Sequence, residues 1–182
     1  LATEWLAALP GLPMVAHTRF FNGETDHHSV GLEVAMARHP PTFDNVDTAA
    51  DDTCLLAFTS GTTGVPKATM HFHRDVMAAC ACWPPHVLRP TADDVFIGSP
   101  PLAFTFGLGG LAVFPLRFGA AATLLEDASP PNLVRYIQEY RATVCFTAPT
   151  AYRVMLSAME EGADLSSLRA AVSAGETLPA PV

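Results

Sequence analysis

The feature that most constrains this sequence is the alternation of short apolar runs and helical stripes in its last third. Residues 121–125 form an apolar run of strand length. Ser129 then offers a helix N-cap, Pro130 suits a first turn, and Leu133, Ile137 and Tyr140 lie on one stripe. Residues 143–147 read as a second strand. Tyr152, Met155, Leu156 and Met159 make a second helical stripe, closed near Gly162, and residues 168–173 read as a third strand. Strand, helix, strand, helix, strand predicts an α/β fold with a parallel, doubly wound sheet flanked by helices and joined by right-handed crossovers. Such sheets take ligands beyond the carboxyl ends of their strands. Chemistry is therefore sought at Ser99-Pro100 (after a further strand predicted over 94–98), at Thr147-Ala148-Pro149 and at Ser173-Ala174-Gly175-Glu176.

A second stretch carries a different signal. The apolar run Cys54-Leu55-Leu56-Ala57-Phe58 predicts a buried strand, and it leads into Thr59-Ser60-Gly61-Thr62-Thr63-Gly64-Val65-Pro66-Lys67. Those nine residues supply two glycines, four hydroxyls and one ammonium. Glycine lets backbone N–H groups approach an anion with no Cβ in the way, and successive N–H groups in a tight turn form an anion nest. The hydroxyls of Thr59, Ser60, Thr62 and Thr63 add donors, and Lys67 adds a mobile charge. This is not a Walker A loop, in which Gly-Lys-Ser/Thr opens a helix directly. Here Val65-Pro66 separates Gly64 from Lys67, and residues 68–70 read as a returning strand, so the loop joins two strands.

Composition narrows the partners. The net charge is −8, so no basic face for nucleic acid is expected and phosphate binding must be local. Lys67 is the only lysine among ten basic residues. No apolar run reaches the roughly 18 residues of a membrane span, and no basic-then-apolar leader precedes the first helix, so a cytoplasmic protein without membrane contact is expected. The four cysteines, Cys54, Cys80, Cys82 and Cys145, lack zinc-ligand spacing with His71 and His73 and read as thiols in a reducing compartment, with no metal site.

The remaining segments are less regular. Residues 1–10 form a short amphipathic helix before Pro10-Gly11, 14–16 a short strand, 20–28 a polar loop, and 30–38 a helix stopped by Pro40-Pro41. Residues 71–83 predict a helix, and 107–118 an apolar helix whose lack of a polar face implies burial. The expected organisation is a peripheral segment and acidic linker over 1–50, then a binding subdomain over 51–182. The opening residue, Leu1, is not methionine, as expected of a piece of a longer protein.

Ser60-Gly61-Thr62-Thr63-Gly64-x-Pro66-Lys67 resembles the phosphate loop of the adenylate-forming superfamily: acyl-CoA synthetases, adenylation domains of peptide synthetases, and luciferases. Two further stretches resemble the same superfamily. Ser99 to Gly110, with Ala103-Phe104-Thr105-Phe106-Gly107-Leu108 inside it, is similar to the segment bordering the carboxylate pocket, and its wording is nearest the benzoate- and 2-aminobenzoate-CoA ligases. Many members carry histidine where this chain has Phe104, which leaves an apolar wall suited to an aromatic acid. Ser173 to Pro179 is similar to the segment that passes over adenine.

The resemblance implies a Rossmann-like part of the large N-terminal domain of an acyl-CoA synthetase. It implies ATP-dependent, AMP-forming ligation of an aromatic carboxylate, such as benzoate or 2-aminobenzoate, to coenzyme A, of the kind used in aromatic acid degradation. ATP phosphates would meet Thr59, Ser60, Gly61, Thr62, Thr63, Gly64 and Lys67, with Mg²⁺. The acyl pocket would use Ala103, Phe104, Gly107 and Leu108, and adenine would meet Ala174, Gly175, Glu176 and Thr177. His71 and His73 match a His-x-His found after the loop in many relatives and are read as holding a helix N-terminus. The adenylation lysine, the aromatic-Gly-x-Thr-Glu stretch, the ribose-binding aspartate and the hinge of full-length relatives have no counterpart, so no catalytic residue is assigned and residues 1–182 alone are expected to be inactive. The competing readings are a γ-phosphate-transferring NTPase or kinase, a non-catalytic nucleotide-binding module, and an adenylation enzyme with a carrier-protein acceptor.

Overall fold

The computed structural model describes residues 2–21, 31–59 and 66–182. The chain divides into two compact units, Leu1–Asp47 and Thr48–Val182. The first contains helix α1 (Ala2–Ala8), a 3₁₀ turn (Leu9–Gly11) and helix α2 (Leu32–Met36). Trp5 donates its indole N–H to Thr18 Oγ1 at 3.3 Å, and Leu32 N–H donates to Phe20 O at 2.8 Å. The strand predicted at 14–16 is not there. Val15 N–H closes a turn onto Leu12 O, and three residues with no partner strand cannot hold an extended ladder.

The second unit opens with a two-stranded antiparallel sheet, β1 (Thr53–Thr59) and β2 (Lys67–Phe72), paired from Leu55↔His71 to Thr59↔Lys67. The predicted strand before the loop is present but not buried. Leu56 is 54% and Phe58 73% exposed, and Cys54 is exposed too. A continuous apolar run says that a strand is apolar, not that anything covers it. His71 belongs to β2, and helix α3 starts two residues later (His73–Cys82), followed by α4 (Pro84–Val87). The Asp75 carboxylate accepts Phe72 N–H at 2.9 Å, which fixes the strand-to-helix corner.

The core is a four-stranded parallel sheet of β3 (Val95–Gly98), β4 (Ala121–Thr123), β5 (Val144–Thr147) and β6 (Ala170–Ser173), in the order β4-β3-β5-β6. Between β3 and β4 run α5 (Thr105–Leu108), a π-helical turn (Gly109–Val113) and α6 (Phe114–Phe118). Helix α7 (Pro130–Tyr140) links β4 to β5, and α8 (Pro149–Glu160) links β5 to β6. Successive strand residues point to opposite faces. Ile97 and Cys145 therefore meet Leu133, Ile137 and Met155 of α7 and α8, while Phe96, Val144 and Phe146 meet Phe106 and Phe114 on the other face. Helices on both faces make the sheet doubly wound. Phe96, Ile97, Leu133, Ile137 and Phe146 are all at least 98% buried, each contributing roughly 1.5–3 kcal/mol.

Two helix predictions need correction in detail. Ser129 occupies the N-cap of α7 but makes no side-chain cap bond; the Asp127 carboxylate takes Ser129 N–H at 2.9 Å and Asn132 Nδ2 at 2.7 Å instead. The apolar helix over 105–118 is only partly covered: Gly107, Gly110, Leu111 and Pro115 are buried, yet Leu116 is 80% exposed.

Candidate active site at the carboxyl ends of the sheet

Strand order places the site. From β3 the chain steps outward to β4, then returns across β3 to β5. The direction reverses between β3 and β5, and the gap beyond their carboxyl ends is where such sheets admit ligands. Ser99, just past β3, and Thr147, the last residue of β5, stand on either side of it. Their hydroxyls lie 2.6 Å apart, and Ser99 N–H also donates to Phe146 O at 3.1 Å. Thr147 is fully buried, so this bond locks the two strand ends together.

The segment after Ser99 hangs from that lock. Phe104 N–H donates to Pro101 O at 3.0 Å, and Leu108 N–H to Phe104 O at 2.8 Å. Gly107 is pressed against the turn: a Cβ there would lie 2.2 Å from Pro101 O and 2.5 Å from Pro100 O. Only glycine permits that approach. Ala103, Phe104 and Leu108, three of the predicted acyl-pocket residues, line a cavity of about 450 Å³ whose other wall is residues 55–58 of β1. Gly107 does not line it; the space above its Cα is filled by proline carbonyls. The π turn follows at once, and Gly110 lies where a Cβ would strike the Phe146 ring at 2.4 Å. Local π geometry of this kind recurs beside functional sites.

Of the predicted phosphate-binding residues, Thr59 and Lys67 face each other as the last register pair of the β1–β2 hairpin. Ser60, Gly61, Thr62, Thr63 and Gly64 lie outside the described residues. Beyond β2, His71 Nε2 lies 3.0 Å from Thr69 Oγ1, and His73 N–H donates to Asp52 O at 3.2 Å. Both histidines thus engage the hairpin and the helix start.

The predicted adenine segment leaves the carboxyl end of β6. Gly175 has φ of +87°, a left-handed turn that favours glycine. Glu176 accepts a hydrogen bond from Thr150 Oγ1 at 3.3 Å, tying the segment to the first turn of α8; Gly175, Glu176 and Thr177 are exposed and Ala174 is half-buried. Tyr152, two residues further along α8, shares its hydroxyl proton between Cys145 O (2.7 Å) and Val172 O (3.0 Å), so it clips β5 to β6. Burial raises the Tyr152 pKa and pushes the Cys145 thiol up to about 12, which makes both structural groups at neutral pH.

The opposite, amino end of the sheet holds a buried charged cluster that sequence reasoning missed. Asp94 is 3% exposed. Its carboxylate accepts Arg169 Nε at 2.7 Å and Nη2 at 2.5 Å, Thr143 Oγ1 at 2.7 Å and Thr91 N–H at 2.8 Å. Arg169 also donates to Leu88 O at 2.7 Å. The bidentate guanidinium is the main reason the Asp94 carboxyl sits far below the ordinary carboxylate range; burial opposes it and loses. A signal was present in the sequence: opposite charges directly precede β3 and β6, at equivalent places in the sheet.

With this geometry in view, similarity to known proteins decides the family. The family model described as "AMP-binding enzyme" matches residues 10–182. The chain belongs to the AMP-binding enzyme family. Among characterised AMP-binding relatives, benzoate–CoA ligase of Thauera aromatica is 33% identical over 155 residues, covering 83% of this chain and 29% of that protein. Anthranilate–CoA ligase of Pseudomonas aeruginosa is 36% identical over 128 residues, covering 69% and 24%. The crystal structure of the anthranilate CoA ligase AuaEII in complex with anthranoyl-AMP superposes with a TM-score of 0.85 at 31% identity, covering 97% of this chain and 35% of AuaEII. The chain therefore spans about a quarter to a third of the length of these AMP-binding relatives. Its α/β fold with a parallel sheet is that of AuaEII, and the relatives named above are acid–CoA ligases.

Proposed function

We propose that these residues form the nucleotide- and acyl-binding part of an ATP-dependent, AMP-forming ligase that joins an aromatic carboxylate to coenzyme A. The observation that carries this reading is the course of β1. One strand lines an apolar cavity along residues 55–58 and then runs, at Thr59, directly into the Gly/Thr loop that ends at Lys67. A substrate ring in the cavity and a phosphate chain at the loop are thereby presented to each other by a single rigid element.

The chemistry proceeds in two steps. The acid's carboxylate oxygen attacks the α-phosphorus of ATP, and the bond to the bridging oxygen breaks to release pyrophosphate, leaving an acyl-adenylate. The thiolate of coenzyme A then attacks the acyl carbon and AMP leaves. Charge accumulates on the departing pyrophosphate in the first step. Donors from Thr59, Ser60, Thr62, Thr63 and the backbone of Gly61 and Gly64, with the Lys67 ammonium, stabilise it more than they stabilise bound ATP. Mg²⁺, when bound with ATP, would supply further positive charge to the phosphates beside Lys67. Ala103, Phe104 and Leu108 hold the ring, while Gly107 fixes the turn that presents them. Ala174, Gly175, Glu176 and Thr177 form the surface against adenine.

Carboxylate and phosphate repel, so holding both is a main part of the work. The acid is benzoate-like: Phe104 supplies a flat apolar wall with no titratable group. In this reading residues 51–182 are the binding subdomain and 1–50 a peripheral segment, and the remaining catalytic groups lie in the rest of a longer enzyme. Exchange of labelled pyrophosphate into ATP by the full-length protein tests it. Exchange that requires an aromatic acid, with AMP released once coenzyme A is added, is expected; acid-independent production of ADP contradicts it. Residues 1–182 alone are expected to show no exchange.

A further inference from the structure

The second wall of the 450 Å³ cavity belongs to no motif. Four consecutive residues of β1, numbers 55–58, line it. Successive side chains of a strand point to opposite faces, so a cavity touched by all four lies along an edge of the strand rather than over one face. Strand β2 occupies one edge, in register from Leu55↔His71 to Thr59↔Lys67. The cavity therefore runs along the other edge and faces Phe104.

Its chemistry is one-sided. No titratable side chain lines it, and Thr105 carries the one side-chain hydroxyl among the described lining residues. An ionised carboxylate cannot be desolvated there without a partner, so the cavity suits the apolar part of an acid and leaves the charged end outside. Its volume is about three times the ~150 Å³ of a dry apolar cavity that takes benzene. A single ring does not fill it, and the bounding residues decide how much more enters. Both walls are stiff. Thr69 Oγ1 donates to Ala57 O at 3.2 Å across the hairpin, and Gly107 seats the 102–108 turn on Pro100 and Pro101.

We propose that β1, through Ala57 and Phe58, sets the upper size limit of the acid's ring system, so that both are specificity-determining residues for the ligase. The inference rests on the assignment of 102–108 as the acyl wall. It is tested on the full-length enzyme with benzoate and the bicyclic 2-naphthoate, scored as kcat/KM for pyrophosphate release. Phe58→Ala opens the cavity and should raise the naphthoate-to-benzoate ratio at least about 10-fold, with Phe58→Leu in between; Ala57→Leu closes it and should lower the ratio by a similar factor. Urea unfolding of each variant, compared with wild type, checks that folding is intact. Ratios within twofold of wild type for all three variants, while Phe104→Ala shifts the ratio, would overturn the role of β1 and leave the acyl wall standing. If no aryl acid supports pyrophosphate release by the wild-type enzyme, the underlying assignment falls and this inference with it.

Discussion

The two ends of the parallel sheet are built on opposite terms. At the amino end, Asp94, Arg169, Thr143 and the carbonyl of Leu88 satisfy one another within a closed network. At the carboxyl end, Phe104 is 66% exposed and Gly175 turns the chain outward, and in the separate β1–β2 hairpin Lys67 is exposed. The amino end ties β3, β5 and β6 with an ionic network; the carboxyl end joins its strands through the Ser99–Thr147 and Tyr152 hydrogen bonds and carries exposed groups beyond them. The contrast teaches where stability and chemistry separate in this molecule. Substitutions at the amino end should change folding alone, and those at the loop should change chemistry alone.

The largest expected effect is at the hairpin. Lys67→Met should lower acid-dependent pyrophosphate exchange about 10²–10³-fold, the usual cost of one charge-stabilising donor, while the urea unfolding free energy stays within about 0.5 kcal/mol. A fall in stability that matched the fall in exchange would erase the contrast. Next comes the amino end. Asp94→Asn should cost about 3 kcal/mol of unfolding free energy, because Arg169 keeps its charge and loses its bidentate partner. Substrate KM should not move. This contribution also has a pH signature. The folded-state pKa of Asp94 is depressed, so its stabilisation is complete above the unfolded value near ~3.9 and is lost as pH falls below that value. Wild type and Asp94→Asn should therefore converge in stability as the solution is acidified.

Two smaller effects sharpen the boundary between the ends. Gly107→Ala places a methyl against two fixed proline carbonyls and should cost about 1–3 kcal/mol, and it should also raise KM for the acid because the 102–108 turn must shift. Ser99→Ala leaves the buried Thr147 hydroxyl without its partner; about 1 kcal/mol of stability should be lost, read from urea unfolding.

How much of this was legible from the residues follows from the range of the interactions. The stripes on α7 and α8 and the apolar strands between them are periodic, and periodicity survives in a bare sequence; the parallel sheet followed from it. The Gly/Thr loop stood out by its composition, and the 99–110 stretch by its resemblance to the adenylate-forming superfamily. Asp94 and Arg169 are 75 residues apart, and no local pattern pairs them. The exposure of Leu56 and Phe58 was missed for a related reason: a strand's composition does not say what stacks on it. Gly107 was placed in the pocket wall, yet its hydrogen faces the Pro100 and Pro101 carbonyls, a contact set by how the turn folds back rather than by the motif. The side-chain cap bond expected of Ser129 does not form: the next two residues, Pro130 and Pro131, have no N–H to give it, and the Asp127 carboxylate binds Ser129 N–H and Asn132 Nδ2 instead.

On the proposed function, the carboxyl end of β1 and the loop after it grip a nucleotide's phosphates. A crystal structure of the full-length protein with a non-hydrolysable ATP analogue tests it most directly. The β- and γ-phosphates should lie within hydrogen-bonding distance of residues 59–67, with the aryl pocket along 55–58 beside them. Phosphates bound elsewhere, with residues 59–67 making no contact, would contradict it.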